Sequence, residues 1–234
     1  MSHIKPEVII GITGITGGIG QGLKAACLDR GYHVVGFSRC PTADAVKLDL
    51  VEDEPPVATV IKATAERVGN FTAWVNLAGA DILSEPLRSM SYEAKLKHLW
   101  EVDVLGSVRC TQGVLPSLTA DGCVINIGWD EAFTGHQGVH GELYAMAKAA
   151  VIAYSMSLAK TLESSSKKVF VFSPGWVRTR WHESLTNQQR DAYIQFIANG
   201  AWQTPQMLGE AIADLITNRA AIRSGSQHVL PEPS

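Results

Sequence analysis

VIIGITGITGGIGQGLKAACLDRGYHVVGFSR, residues 8–39, decides the fold of this chain. A first apolar run ends in a glycine cluster, TGITGGIG at 13–20. The segment GIGQGLKAACLDRG then takes a helical period before a second apolar run, HVVGFSR. Strands covered on both faces of a sheet read as nearly continuous apolar runs, so these residues spell a βαβ unit of a parallel sheet. Glycines in the loop allow positive φ and close approach of backbone to a phosphate. The following helix offers unsatisfied N–H groups and the positive end of its dipole. Gly14, Thr16, Gly17, Gly18, Ile19 and Gly20 are therefore the candidate cradle for a dinucleotide pyrophosphate, although a tight strand-to-helix turn also uses glycines.

The same rhythm continues outward. A helix is expected near 56–68, a strand at AWVNLAG, a helix around 93–118 before GCVINIG, and a second long helix over 142–163 before KVFVFSPG. Residues 179–205 break the rhythm, being richer in Trp, Gln, Asn and Arg. They give way to TPQMLGEAIADLITN, where Thr204 and Pro205 suit the N-cap and first turn of a helix. The expected architecture is α/β: a single Rossmann-like, doubly wound parallel sheet over 1–234 with helices on both faces and one late excursion.

Bulk properties agree with one domain that handles small molecules. The 234 residues, 46% of them hydrophobic, suffice for one sizeable core. A formal charge of −3 without long runs of one sign leaves no electrostatic footprint for nucleic acid or anionic membranes. Cys27, Cys40, Cys110 and Cys123 lack metal-ligand spacing and read as reduced, packed thiols, with no metal implied. MSHIKPEVII has no long apolar stretch or cleavage site, and no run reaches the ~18 apolar residues of a membrane span. A cytoplasmic protein is expected.

The end of the second strand separates two cofactors. An NAD site usually places a carboxylate about 20 residues past the glycines for the ribose 2′-hydroxyl. Here stand Ser38 and Arg39, a hydroxyl and a guanidinium that suit a 2′-phosphate, so NADP is favoured. The plainer alternative makes Arg39 a solvated strand-end residue.

TGITGGIG at 13–20, LDL at 48–50, NLAG at 76–79, Tyr144 with Lys148, and SPGWVRT at 173–179 occur in that order. On these five signatures the chain resembles the short-chain dehydrogenase/reductase family over nearly its whole length. The resemblance implies a single Rossmann domain assembled as a homodimer or homotetramer through the two long helices. It also implies that Asp49 and Leu50 border the adenine, and that Asn76, Ala78 and Gly79 support the sheet beside the ribose. Pro174, Gly175, Val177 and Thr179 would lie at the nicotinamide, with Val177 and Thr179 at its carboxamide. Tyr144 would give a proton to a substrate carbonyl oxygen. Lys148, on the same helix face at i+4, would supply the charge that a phenol of pKa ~10 needs near neutrality and would hold the nicotinamide ribose.

Two positions depart from the family pattern. Trp129 falls where the family has its serine, followed by Asp130 and Glu131; Asp103 falls where it has an asparagine. A missing oxyanion-type donor typically costs about 10²- to 10³-fold in rate. Asp130, with a pKa raised by partial burial, is one candidate replacement, and Trp129 is a candidate for shaping or contacting the substrate; alternatively Trp129 packs under the loop and Asp130 caps a turn. Asp103 would hold the relay water behind the lysine and keep Tyr144 protonated to higher pH, or simply form a structural ion pair. The 179–205 excursion is where this family carries its substrate lid. Its Trp181, Tyr193, Phe196 and Trp202 would line an apolar pocket or pack the lid down, while Arg178, Arg180 or His182 would meet a polar or anionic group. The leading reading is an NADP(H)-dependent reductase of a ketone or aldehyde. Behind it stand an NADP-binding sensor or auxiliary with little turnover, and a non-redox dehydratase or isomerase.

Overall fold

A computed structural model of the chain describes residues 8–40, 42–43, 45–52, 54–135, 140–194, 197 and 202–230. Seven strands, β1 (Ile9–Thr13), β2 (His33–Ser38), β3 (Ala45–Lys47), β4 (Phe71–Asn76), β5 (Leu118–Ile127), β6 (Lys168–Ser173) and β7 (Gln227–Val229), form one sheet. Every pairing is parallel, in the order β3, β2, β1, β4, β5, β6, β7. The order reverses between β1 and β4. Ligands of doubly wound sheets bind at such a switch point, outside the carboxyl ends of the strands. β3 and β7 have three residues each, too few to give a periodic signal in the sequence.

The helices are α1 (Gly18–Asp29), α2 (Val57–Val68), α3 (Tyr92–Leu99), α4 (Gly106–Val114), α5 (Gly141–Thr161), α6 (Arg180–Ser184), α7 (Asn187–Ile194) and α8 (Pro205–Thr217). On one face, Leu23 and Cys27 of α1 and Leu208, Ile212 and Ile216 of α8 pack against Ile10, Ile12, Val75, Ile125 and Phe170. On the other, Ile61, Cys110 and Val114 cover Ile9, Phe37, Phe71 and Trp74. Each such aliphatic or aromatic side chain removed from water contributes about 1.5–3 kcal/mol. Phe37 and Phe71 meet Trp74 at centroid distances of 4.8 and 5.3 Å. The Trp74 indole N–H donates to Asn76 Oδ1 at 2.7 Å, satisfying its one polar atom. Among the described residues, no helix is long and apolar enough to cross a membrane.

The expected helix over 93–118 is interrupted. Trp100–Leu105 forms a π-helical segment between α3 and α4, and the run ends at Val114, with Pro116 in a 3₁₀ turn. Proline lacks the N–H that the next helical turn would need. Single wide turns of this kind occur mostly at functional sites, and this one carries Asp103. The cysteines also divide. Cys27, Cys110 and Cys123 are buried, the thiols of Cys27 and Cys123 being pushed up to about 12 by burial, whereas Cys40 is exposed, against the expectation that all four are packed.

α1 and α8 cross at two glycines. A Cβ on Gly22 would strike the Pro205 carbonyl, and one on Gly209 would strike the backbone of Gly22. Neither obstacle is the movable tip of a side chain. Gly22→Ala should therefore cost at least about 1–3 kcal/mol in chemical denaturation; unchanged stability would show that the helices slide apart freely.

Candidate active site

The glycine loop begins with Gly14 at φ 69, where a Cβ would lie 2.8 Å from the Cα of Ala78. Only glycine fits a left-handed turn pressed so closely on the β4 loop. Gly17 is the N-cap of α1 and offers no side-chain cap, whereas Thr204 of α8 accepts from Met207 N at 3.2 Å. The first-turn N–H groups of α1 have no intrahelical partners. Gly14, Thr16 and Gly17 border a cleft of about 670 Å³ that also includes Ser38, Arg39, Asp49, Leu50, Ala78 and Gly79. Thr16 Oγ1 and Ser38 Oγ are 3.2 Å apart, beside the exposed Arg39. The glycine cradle at a helix start fits the phosphates of a dinucleotide, and Arg39 adds a cation to the same cleft.

A second cavity, of about 250 Å³, adjoins the first; Ala80 and Asp81 border both. It is lined by Ile19, Trp129, Tyr144, Pro174, Gly175, Val177 and Thr179 from the sequence-derived set. Gly18, Gly20, Asn76, Asp103 and Lys148 line neither space. Asn76 is buried in the sheet, donating to Asn126 Oδ1 at 2.7 Å and Thr111 Oγ1 at 2.9 Å, and thus stiffens β4 against β5. Asp49 Oδ1 accepts from the amides of Val51 (2.9 Å) and Glu52 (3.3 Å), closing the turn after Leu50.

Beneath the second cavity, three ionisable groups form a chain. Tyr144, half-buried in the first turn of α5, has Lys148 Nζ 5.2 Å from its ring centroid. Lys148 Nζ lies 2.9 Å from Asp103 Oδ2, and Asp103 Oδ1 accepts from Ala80 N at 2.8 Å. Lys148 and Asp103 are both buried. Burial raises the Tyr144 phenol above its ordinary value; Lys148 opposes that rise and Asp103 adds to it. Burial works against the Lys148 charge, but Asp103 and Tyr144 outweigh it and hold the ammonium above the usual lysine range.

Trp129 is buried and meets the Tyr144 ring edge-on at 5.2 Å, walling the cavity where the family pattern has a hydroxyl. Asp130 is exposed in the 3₁₀ turn Asp130–Ala132 and borders neither space. The partial burial needed to make its carboxyl a proton donor is not met, which corrects the sequence expectation. Trp181, Tyr193 and Trp202 line the cavity, one of the two alternatives the sequence left open, while Phe196 lies outside the described residues. They also pack on one another, with Trp181 to Tyr193 at 5.2 Å and Trp181 to Trp202 at 6.0 Å. The parallel bridge of Val177 with Gln203 fastens the base of this excursion. Neither Arg178 nor His182 reaches the cavity, and Arg180 borders the larger cleft instead. His182 packs against Trp202 at 4.5 Å, its pKa lowered by burial and then by Arg190 and Arg178.

The sequence reading missed Trp176, His140 and the Ala80–Leu83 stretch as cavity walls. Trp176 lies inside the SPGWVRT signature, and Ala80–Leu83 continue NLAG past the end of a strand at the switch point; both positions could have been found on those grounds.

Fold and site together define a Rossmann-type dinucleotide-binding scaffold with a tyrosine–lysine pair at its switch point. A family model described as enoyl-(acyl carrier protein) reductase matches residues 14–230. The 3-oxoacyl-(acyl-carrier-protein) reductase FabG of Vibrio cholerae is 26% identical over 228 residues, covering 92% of this chain and 91% of that protein. Carbonyl reductase family member 4 of Xenopus tropicalis is 24% identical over 221 residues, 89% of this chain and 90% of that protein. A short-chain dehydrogenase/reductase from Serratia marcescens superposes with TM-score 0.84 over 98% of both chains at 20% identity. The chain belongs to the short-chain dehydrogenase/reductase family, oxidoreductases that work with nicotinamide dinucleotides.

Removing the Asp103 charge favours the phenolate of Tyr144. With Tyr144 as the proton donor of a carbonyl reduction, Asp103→Asn should therefore move the alkaline limb of the pH–rate profile to lower pH. A profile coincident with wild type would show that Asp103 is only a structural partner of Lys148.

Proposed function

We propose that the chain is an NADP(H)-dependent reductase of an uncharged, apolar ketone or aldehyde. One observation carries the reading: Tyr144, backed by Lys148 and Asp103, borders a cavity that shares Ala80 and Asp81 with the dinucleotide cleft. Ser38 and Arg39, with no carboxylate at the strand end, support NADP over NAD. When bound, the reduced nicotinamide supplies a hydride. Pro174, Gly175, Val177 and Thr179, which line the cavity with Ile19, would hold its ring end.

Tyr144 acts as the acid. Its hydroxyl bonds the substrate carbonyl oxygen and releases the proton to the developing alkoxide. Lys148 lines neither cavity, so it works from behind, its charge stabilising the phenolate that remains. Asp103 fixes that ammonium and, by raising the phenol's pKa, keeps Tyr144 protonated, which suits reduction better than oxidation. Trp129 orients the substrate and the Tyr144 ring rather than donating in place of serine. Thr179, Trp181, Tyr193 and Trp202 supply the lid side of the substrate cavity. Among the described residues lining the cavity, Asp81 is the one carboxylate, His140 the one imidazole, and there is no lysine or arginine, which favours an uncharged substrate over an anionic one. Exposed Trp100, Met146 and Met156 give the α3 to α5 side an apolar surface, which supports a homodimer or homotetramer assembled there.

The buried Trp129 in place of a hydroxyl favours one competing reading, a nucleotide-binding auxiliary with little turnover. NADPH consumption against a panel of carbonyl compounds separates the two. Stoichiometric consumption is expected, with kcat for Tyr144→Phe lower by about 10²- to 10⁴-fold. A keto acid should have kcat/KM about tenfold below its neutral ester, since about 1.4 kcal/mol is a factor of ten. Tight NADPH binding with no turnover across the panel would favour the auxiliary.

A further inference from the structure

Arg180 and Trp181 are consecutive residues of α6, yet they border different spaces. Arg180 lines the dinucleotide cleft together with Gly14, Gly17 and Arg39; Trp181 lines the substrate cavity together with Tyr144. The Arg180 side chain is exposed and has no hydrogen bond or ion pair among the described residues. The acids that share its cleft are engaged locally. Asp49 and Asp81 each accept from two backbone amides through Oδ1, and Glu85 accepts from the Ser89 hydroxyl. Arg180 thus borders the cleft with no side-chain counter-ion among the described residues.

We propose that Arg180 binds the pyrophosphate of the dinucleotide and thereby couples cofactor binding to assembly of the substrate pocket. The inference rests on the dinucleotide reading above. Position selects the anion. Thr179 borders the nicotinamide end of the site, and Arg180 follows it by one Cα step of about 3.8 Å. Ser38 and Arg39 mark the opposite, 2′-phosphate end, and the glycine loop lies between. The pyrophosphate is therefore the nearer anion, and the planar fork of arginine matches two phosphate oxygens at once. Seating Arg180 on it also seats α6, and with α6 the Trp181 wall of the substrate cavity. Linkage is reciprocal, so substrate must in turn tighten cofactor binding.

The test compares wild type and Arg180→Ala by calorimetric titration with NADP⁺ and with adenosine 2′-phosphate, which lacks the pyrophosphate, at low and high salt. The expected result is a rise of about tenfold in the NADP⁺ Kd, a shallower salt dependence, an unchanged adenosine 2′-phosphate Kd and an unchanged thermal melting curve. Arg180→Lys should recover part of the loss. Equal NADP⁺ affinity in wild type and Arg180→Ala would overturn the proposal, as would equal weakening of both ligands, which would place Arg180 at the 2′-phosphate. Failure of the wild-type protein to bind NADP⁺ at all would instead overturn the dinucleotide reading beneath it.

Discussion

The buried ion pair of Lys148 with Asp103, 2.9 Å long, is the interaction on which the site depends. It ties three separate parts of the chain together: α5 through Lys148, the π turn through Asp103, and the β4 loop through the Ala80 amide that Asp103 also holds. Leaving one member of such a pair without its partner typically costs about 3–5 kcal/mol, because the remaining charge stays buried. The pair therefore sets geometry as well as charge. It places an ammonium behind a phenol that burial alone would hold too weakly acidic, and it does so from a wide helical turn.

That charge arrangement explains how the site tolerates Trp129. A site with a hydroxyl there shares the developing negative charge on the substrate oxygen between two donors. Here the Tyr144 ring meets an indole wall, edge-on at 5.2 Å, so in the proposed reaction the phenol proton has more to do. A phenol kept protonated by Asp103 is matched to that task.

Much of this was legible in the sequence, and for identifiable reasons. The apolar runs of β1, β4 and β6, and most of β2 and β5, are buried, so a doubly wound parallel sheet could be read from them, and TGITGGIG pointed to the cleft. Thr204 and Pro205 marked the start of α8 because capping is a local matter between a side chain and the next turn. What stayed hidden was non-local. Asp130 and Trp129 are adjacent in sequence, yet one is exposed and the other buried, and only the path of the 3₁₀ turn decides which. The interruption at Trp100–Leu105 adds no glycine or proline before Gly106, so the sequence carries no local signal of it and predicts one continuous helix. Arg180 reads as a lid residue that would meet substrate until the turn of α6 sends it to the other side.

The glycine crossing of α1 with α8 also bears on how the chain matures. Residues 18–29 and 205–217 meet backbone to backbone, and the apolar side of α1 is covered only when α8 arrives. During synthesis, most of the polypeptide must leave the ribosome before that covering exists. Until then the nascent βαβ unit presents bare leucine and isoleucine to water or to a chaperone. Topologies dominated by such distant pairings fold slowly.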